Sequence, residues 1–302
     1  MEILKTPSSC FDDLPGYSFE PHYINVGEAH ELNMHYVDYG PSNGPVILML
    51  HGEPSWSYLY RNMINEAAES GFRVIAPDLI GFGKSDKYTN QDAYTYASHL
   101  AWLKRFMNQL SLSDIHLICQ DWGGLLGLRL LSAEPEKFAA VVAANTMLPT
   151  GEHEPSKAFI EWQEYSQATE NFDIAGIIQR ATYKEIIEEV VAAYNAPFPS
   201  EEYKAGARKF PMLVPIRPDD PEALNNKEAW KVLAKFTKPF LTAFSDQDPV
   251  TRGGEKLFQK LIPGCAGQPH TIIKNGGHFL QEDCAHELVT LAINCFRGCT
   301  HG

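Results

Sequence analysis

Six short apolar segments, separated by longer amphipathic ones, constrain the fold of this chain more than any other feature of its sequence. Each segment is a nearly continuous apolar run, as is typical of parallel strands that are covered on both faces. Between the runs, apolar residues recur three and four positions apart, which is the periodicity of helices. The runs span residues 46–50, 74–76, 115–119, 140–143, 239–244 and 271–273, and helical stretches span residues 56–70, 94–110 and 124–136. The alternation predicts an α/β fold with a mostly parallel central sheet flanked by helices.

The alternation stops near residue 148 and resumes after residue 227. The intervening stretch is helix-like and is interrupted by several prolines. A helical excursion inserted between strands predicts a separate cap over the sheet. We therefore predict a core domain of residues 1–147 and 228–302 and a helical cap domain of residues 148–227. Within the core, alternating apolar and polar residues predict an N-terminal hairpin between residues 17 and 39.

Length and charge limit the partners of this chain. Its 302 residues, 44% of them hydrophobic, are enough for one large core with an insertion. The formal net charge of −13 repels phosphate backbones and anionic lipid, so neither nucleic acid nor membrane is an expected partner. No segment resembles a signal peptide or a membrane span, and we expect a soluble cytoplasmic protein. The six cysteines lack the spacing of metal ligands, so we expect free thiols and no bound metal.

A carboxylate stands at the end of the third apolar run. Asp121 follows this run and precedes Trp122, Gly123 and Gly124, where a helical pattern begins. A strand, a sharp turn and a helix with small neighbours form a nucleophile elbow, in which the residue at the turn exposes a reactive side chain. The usual pattern is Gly-x-Ser-x-Gly, whereas Cys119 takes the place of the first glycine here. Asp121 is a candidate nucleophile, although an aspartate at this position also suits the N-cap of the following helix.

Further reactive groups follow the fifth and sixth apolar runs. Asp246 and Asp248 come after the fifth run, and His278 comes after the sixth, behind two glycines. The order nucleophile, acid, histidine is that of α/β-hydrolases, and parallel sheets place their sites at the carboxyl ends of the strands. Each of these residues alone also fits an ordinary turn or loop. Together with Asp121 they predict a catalytic triad.

The loop after the first apolar run supplies a fourth element. His51, Gly52, Glu53 and Pro54 occupy the place at which this fold builds part of its oxyanion hole. The backbone N–H of Glu53 would pair there with that of Trp122 to stabilise an oxyanion. Such a sequence is also an ordinary turn, but four ordinary turns at these strand ends and in this order are improbable together.

Along nearly its whole length the chain resembles the haloalkane dehalogenase family of α/β-hydrolases. The segments that carry the resemblance are His51–Tyr58, Asp78–Ser85, Gln120–Gly124 and Gly276–Phe279. The resemblance implies that Asp121 is the nucleophile, His278 the base and Asp248 the acid that orients the base. Asp246 is the competing acid. The family pattern favours the later position, and Asn145 after the preceding strand offers no carboxylate for the role.

The same resemblance implies two halide donors and a substrate pocket. Trp122 matches the first donor, and Trp162 in the cap is the candidate for the second, as in the subfamily whose cap this chain resembles most. A cap tryptophan also suits a hydrophobic core. The apolar pocket is expected to be lined by Phe159, Leu125, Phe210, Pro211, Val214 and Val250.

The reaction that the resemblance implies is the hydrolytic dehalogenation of small neutral haloalkanes. The products are an alcohol, a halide ion and a proton, and the intermediate is an ester of the aspartate. Neither a metal nor an organic cofactor is needed for this chemistry. We expect the protein to be a monomer.

Other functions of the same fold remain alternatives. An epoxide hydrolase would use the same aspartate and would activate its substrate with cap tyrosines; the available ones are Tyr165, Tyr183, Tyr194 and Tyr203. Glu53 and the cap tryptophan favour the dehalogenase. A fluoroacetate dehalogenase would carry arginine after the nucleophile, where this chain has Trp122. A non-catalytic receptor would lack a triad member, and a serine esterase would carry a hydroxyl at the elbow.

Overall fold

The structure is a computed structural model that describes residues 2–299, apart from the side chain of Cys299. An eight-stranded sheet forms its centre. The strands of this sheet are β2 His22–Asn25, β3 Asn33–Tyr39, β4 Val46–Leu50, β5 Arg73–Pro77, β7 Ile115–Gln120, β8 Phe138–Ala144, β9 Phe240–Ser245 and β10 Thr271–Ile273. Two short strands, β1 Ile3–Leu4 and β6 Lys87–Tyr88, pair antiparallel in a separate sheet. The helices are α1 Arg61–Glu69, α2 Tyr96–Gln109, α3 Trp122–Ala133, α4 Lys157–Ala168, α5 Ile174–Ala181, α6 Glu188–Asn195, α7 Ala205–Lys209, α8 Ala223–Leu233, α9 Glu255–Leu261 and α10 Leu280–Cys299.

The order of the strands confirms the mostly parallel sheet. It runs β10-β9-β8-β7-β4-β5-β3-β2, and the pairs from β10 to β5 are parallel. β3 pairs antiparallel with both β5 and β2, and the pair β2–β3 is the N-terminal hairpin. The chain leaves β4 toward β5 and later continues from β7 toward β10, so the strand order reverses between β4 and β7. Ligands of such sheets bind at this switch point, beyond the carboxyl ends of the strands.

Helices enclose the sheet in two groups. α1 packs against α10, while α3 packs against both α2 and α8. β7 is buried along its whole length, in keeping with its continuous apolar sequence. None of the helices in the described part of the chain is both long and apolar enough to cross a membrane.

The segment between β8 and β9 is helical, as expected for the cap. It contains α4 to α7 and then α8, which packs against α3 of the core. The domain boundary expected at residue 227 therefore falls inside a helix that faces the core. Helical periodicity marks a helix but does not reveal the layer against which it packs. The division into core and cap domains remains a prediction.

The start of α3 lies close to the end of β4. A side chain at Gly123 would overlap the backbone carbonyl groups of Leu50 and His51. One helical turn later, a side chain at Gly127 would meet only the methyl groups of Leu117 and Leu50, at 3.0 and 3.2 Å. Gly123 is thus required for the close approach of helix and strand that forms the elbow.

We expect Gly123→Ala to lower the free energy of unfolding by about 3 kcal/mol or more, because neither backbone carbonyl can move without shifting β4. Gly127→Ala is the matched control. It gains the same helix propensity, roughly 0.5–1 kcal/mol, and meets only flexible side chains. Urea unfolding of both variants measures the difference. Equal stability of the two variants would contradict the role assigned to Gly123.

Candidate active site

Asp121 lies at a strained turn between β7 and α3. Its backbone has φ 50° and ψ −125°, a conformation that residues with a Cβ rarely adopt. The turn is supported by a hydrogen bond from its N–H to the carbonyl of Asn145, at 3.0 Å. The carboxylate does not cap α3; its Oδ1 instead accepts the backbone N–H of Glu53, at 2.8 Å. The alternative that Asp121 is only a helix cap is therefore wrong.

The carboxyl ends of β7, β9 and β10 bring the three expected triad residues together. His278 Nε2 lies 3.4 Å from Asp121 Oδ2. On the other side of the ring, Nδ1 donates to Asp248 Oδ2 at 3.0 Å. Asp248 is fully buried and also accepts the N–H of Val250, at 2.8 Å, and the hydroxyl of Thr251. The imidazole thus lies between two carboxylates, one of them fixed by its own hydrogen bonds.

The competing acid, Asp246, faces away from this group. Its Oδ1 accepts the N–H of Asn275 at 3.0 Å, and its Oδ2 lies 3.5 Å from the ammonium group of Lys274. No contact joins Asp246 to His278 within the described residues. The geometry therefore supports Asp248 as the partner of the histidine.

Charge and burial oppose each other at the histidine. Burial alone would lower the pKa of His278, but the charges of Asp248 and Asp121 outweigh it and raise that pKa well above its ordinary value. Burial likewise favours neutral Asp248, yet the charge of His278 and the hydrogen bonds to the carboxylate hold the pKa of Asp248 below its usual value. The unmodified site therefore holds an imidazolium at neutral pH.

A third carboxyl group, that of Glu53, belongs to the same site. Sequence reasoning assigned only the backbone N–H of this residue. Its side chain is buried, and Oε1 has no hydrogen-bond partner among residues 2–299. Burial, followed by the charge of Asp121, raises the pKa of Glu53 well above its ordinary value. Burial and the charge of Asp121 thus disfavour a second negative charge at Glu53 beside Asp121.

A cavity of about 860 Å³ lies between the elbow and the cap helices. Besides Asp121 and His278, it is lined by Trp122, Trp162, Leu125, Phe159, Pro211, Val214 and Val250. The expectation for Phe210 is wrong. Its side chain is fully buried and packs behind Trp122, with the ring centroids 4.6 Å apart. Phe210 and Pro211 are adjacent in a tight turn and point to different sides, which sequence adjacency does not show.

Both tryptophans that were singled out from the sequence face this cavity. Trp122 is almost fully buried, whereas Trp162 on α4 is half-buried and stacks on Phe172 and Tyr165, at centroid distances of 5.7 and 6.0 Å. Neither indole N–H has a hydrogen-bond partner within the described residues. The structure also records no hydrogen bond from the Trp122 backbone to Asp121 among those residues. The hydrogen bond from the Glu53 N–H is therefore the backbone contact to the Asp121 carboxylate that is formed here.

Several residues that support the site were not found from the sequence. Asn145, after β8, donates to the backbone carbonyls of Gly277 and His278 at 2.9 and 3.0 Å. Thr251, three residues after Asp248, could have been recognised from the spacing at which a hydroxyl reaches back to a carboxylate. The contacts of Asn145 join positions more than a hundred residues apart, so no local sequence pattern predicts them.

The fold and the geometry of the elbow define the class of this protein. A family model described as the alpha/beta hydrolase fold matches residues 45–284. The chain is 53% identical over 295 residues to a haloalkane dehalogenase from Psychrobacter cryohalolentis and 44% identical over 296 residues to one from Mycobacterium marinum, with at least 97% of each chain covered. It superimposes on the haloalkane dehalogenase structure from Paraglaciecola agarilytica with a TM-score of 0.92, at 31% identity over 97% of this chain and 98% of the other.

The chain is therefore an α/β-hydrolase. Within that class it belongs to the haloalkane dehalogenase family, as the resemblance at its motifs implied. The comparisons favour this family over the epoxide hydrolase alternative. Of the four cap tyrosines considered for that alternative, Tyr165 and Tyr183 line the cavity. The hydroxyl of Tyr194 instead donates a hydrogen bond to the carboxylate of Glu282.

Proposed function

We propose that this protein hydrolyses the carbon–halogen bond of small neutral haloalkanes with Asp121 as its nucleophile. One observation carries the proposal: the carboxylate of Asp121 projects into an apolar cavity, with the Glu53 N–H on one oxygen and His278 beside the other. An aspartate suits this chemistry because its alkyl ester can be hydrolysed. The mainly apolar lining favours an uncharged substrate, since a charged one would lose much of its hydration there.

In the first step, Asp121 Oδ2 attacks the carbon that bears the halogen. A carbon–oxygen bond forms, the carbon–halogen bond breaks, and the halide leaves with the bonding electron pair. The indole N–H groups of Trp122 and Trp162 are the proposed donors to the departing halide, since both indoles line the cavity and contain no competing acceptor. The raised pKa of Glu53 assists by disfavouring a further negative charge that would repel the halide.

In the second step, His278 removes a proton from water while the oxygen of that water attacks the carbonyl carbon of the ester. Oδ1 of Asp121 becomes the oxyanion, and the Glu53 N–H already lies 2.8 Å from it. The N–H of Trp122 is the proposed second donor. Collapse of the intermediate releases the alcohol and restores both the carboxylate and the imidazolium. Asp248 keeps the ring oriented throughout.

The two steps are linked by the charge on Asp121. As a carboxylate, it helps to keep His278 protonated. As an ester, Asp121 carries no charge. Of the two carboxylates, only Asp248 then still counteracts the lowering effect of burial on the pKa of His278, so that pKa falls. The histidine is thus more readily neutral, and able to act as a base, once there is an ester to hydrolyse.

Oligomeric state and location are further parts of the proposal. We propose, as the sequence led us to expect, that the protein is a monomer and is located in the cytoplasm. The relative from Paraglaciecola agarilytica is described as tetrameric. Size-exclusion chromatography with light scattering distinguishes one chain per particle from four.

Wild-type protein is expected to release bromide from 1-bromobutane and 1,2-dibromoethane, and Asp121→Ala is expected to lose at least about a thousandfold of this rate. Alanine leaves no amide that could hydrolyse back to aspartate. Asp246→Asn is the matched control and should stay active, since Asp246 faces away from His278. Bromide release by Asp121→Ala at the wild-type rate, or turnover of styrene oxide in place of the haloalkanes, would contradict the proposal.

Trp122→Phe and Trp162→Phe are each expected to raise the bromide inhibition constant roughly 10- to 100-fold, because each removes one N–H donor to an anion. The constant is measured from inhibition of turnover by sodium bromide at fixed ionic strength. Trp230→Phe is the control, since the Trp230 N–H donates to the carbonyl of Leu148 at 2.8 Å. An unchanged constant in Trp162→Phe would remove Trp162 from the halide site.

Proton release is expected to keep pace with bromide release, and not with alcohol formation, in a single turnover near pH ~8.5. The reason is that His278 holds a proton beside the carboxylate of Asp121 and loses it when that carboxylate becomes an ester. Stopped-flow mixing with a pH indicator, together with quenched samples for bromide and alcohol, measures the order. Protons that appear only with the alcohol would mean that His278 is neutral in the resting enzyme.

A further inference from the structure

The loop that carries His278 is held on its carbonyl side by the core. The histidine loop, defined here as residues 275–279, directs the carbonyls of Gly277 and His278 toward the ends of β7, β8 and β9. The hydroxyl of Ser245 donates to Gly277 at 2.7 Å, and the amide of Gln120 donates to His278 at 3.1 Å. Together with Asn145, these groups attach the loop to the sheet.

The N–H side of the same loop is held by the cap. The N–H of His278 donates to the carbonyl of Ala181 at 2.7 Å, and that of Phe279 lies 3.4 Å from the same oxygen. Ala181 is the last residue of α5, a cap helix. A side chain at Gly277 would overlap this carbonyl, so glycine is required for the approach. The base is therefore attached to the core on one side and to the cap on the other.

Asp283 completes the attachment to the cap. It lies in the first turn of α10 and is buried. Its carboxylate accepts the N–H of Gly277 at 2.7 Å, the N–H of Tyr183 at 2.9 Å and the N–H of Lys184 at 2.8 Å. One carboxylate thus joins the histidine loop to the cap segment 181–184 through three backbone donors.

Glu282, the residue before Asp283, connects the cap to the core at a different place. The carboxylate of Glu282 pairs with Arg61 on α1 and accepts the hydroxyl of Tyr194 on α6. These groups are also buried. Within the described residues, the Glu282 side chain makes no hydrogen bond to the histidine loop. The adjacent carboxylates of Glu282 and Asp283 therefore bind the cap at two places. Of the two, Asp283 alone also binds the histidine loop.

We propose that Asp283 is a positioning residue through which the docked cap segment 181–184 keeps His278 in place for ester hydrolysis. The inference rests on the proposed function. If the segment moves away, the Asp283 carboxylate loses two of its three backbone donors and the N–H of His278 loses its acceptor, so the loop must relax to find other partners. A displacement of the ring by about 1 Å costs on the order of 100-fold in rate. The effect falls on the second step, because the attack of Asp121 on carbon does not pass a proton to His278.

The first test compares Asp283→Asn with Glu282→Gln. Asp283→Asn is expected to slow ester hydrolysis by about 10- to 100-fold while bromide formation in the first turnover stays near the wild-type rate. It should therefore give a bromide burst approaching one per active site, with the alkyl adduct on Asp121 visible by mass spectrometry. Glu282→Gln loosens the cap elsewhere and is expected to keep the wild-type ratio of the two steps. Thermal unfolding of both variants reports their stability.

The second test removes a donor on the cap side alone. Tyr183→Pro deletes the N–H that Asp283 accepts, and Thr182 has φ −93° and ψ 153°, which suits a residue before proline. Tyr183→Ala loses the same side chain and keeps the N–H, so it is the reference. We expect adduct to accumulate in Tyr183→Pro and not in Tyr183→Ala. This pair keeps the inference testable even if Asp283→Asn does not fold.

The outcomes are distinct. Adduct that accumulates in Asp283→Asn but not in Glu282→Gln supports the inference; if Asp283→Asn does not fold, accumulation in Tyr183→Pro but not in Tyr183→Ala takes its place. Normal ester hydrolysis in the variant that decides the test, or equal accumulation in its control, would overturn the inference and leave the proposed function intact. Failure of the wild-type protein to release bromide would instead overturn the proposed function, and the inference with it.

Discussion

The close approach of the β7–α3 elbow to the end of β4 is the constraint on which the site depends. Gly123 lets α3 lie against the carbonyls of Leu50 and His51, and Gly52 leaves room for the carboxylate of Asp121. This contact places the Glu53 N–H 2.8 Å from Asp121. The strained backbone of Asp121 is tolerated because the packing on both sides determines it. Without this approach, the carboxylate would be free to cap its own helix, and the hydrogen bond from the Glu53 N–H would not form.

The electrostatics of the site follow from placing four titratable groups around one cavity. Asp121 and Asp248 are both close enough to stabilise an imidazolium on His278, and their combined charge outweighs the cost of its burial. At Glu53, burial and the charge of Asp121 outweigh the opposing charge of His278 and raise the pKa of its carboxyl group. In the proposed mechanism, the conversion of Asp121 to an ester removes one charge from this balance. The same four groups can then serve nucleophilic attack in one step and general-base catalysis in the next.

The cap shapes the cavity and also contacts the histidine loop. Its helix α4 brings Trp162 opposite the elbow, while the end of α5 binds the backbone of the histidine loop. Sequence patterns located the helical insertion between β8 and β9, and its division from the core remains a prediction. They also assigned Phe210 to the cavity wall, and that assignment is wrong. Periodicity identifies apolar positions, and it does not show which of two apolar surfaces a side chain faces.

The sequence by itself determined the fold class, the mostly parallel sheet and the strand ends that carry Asp121, Asp248 and His278. It could do so because continuous apolar runs and the turns after them are local properties of the chain, and a parallel sheet brings such turns to one edge. Only the tertiary structure decided that Asp248 rather than Asp246 faces the histidine, that the pKa of Glu53 is raised and that Asn145 and Asp283 hold the histidine loop. These properties depend on direction, burial and contacts between distant residues, which arise only when the chain is folded.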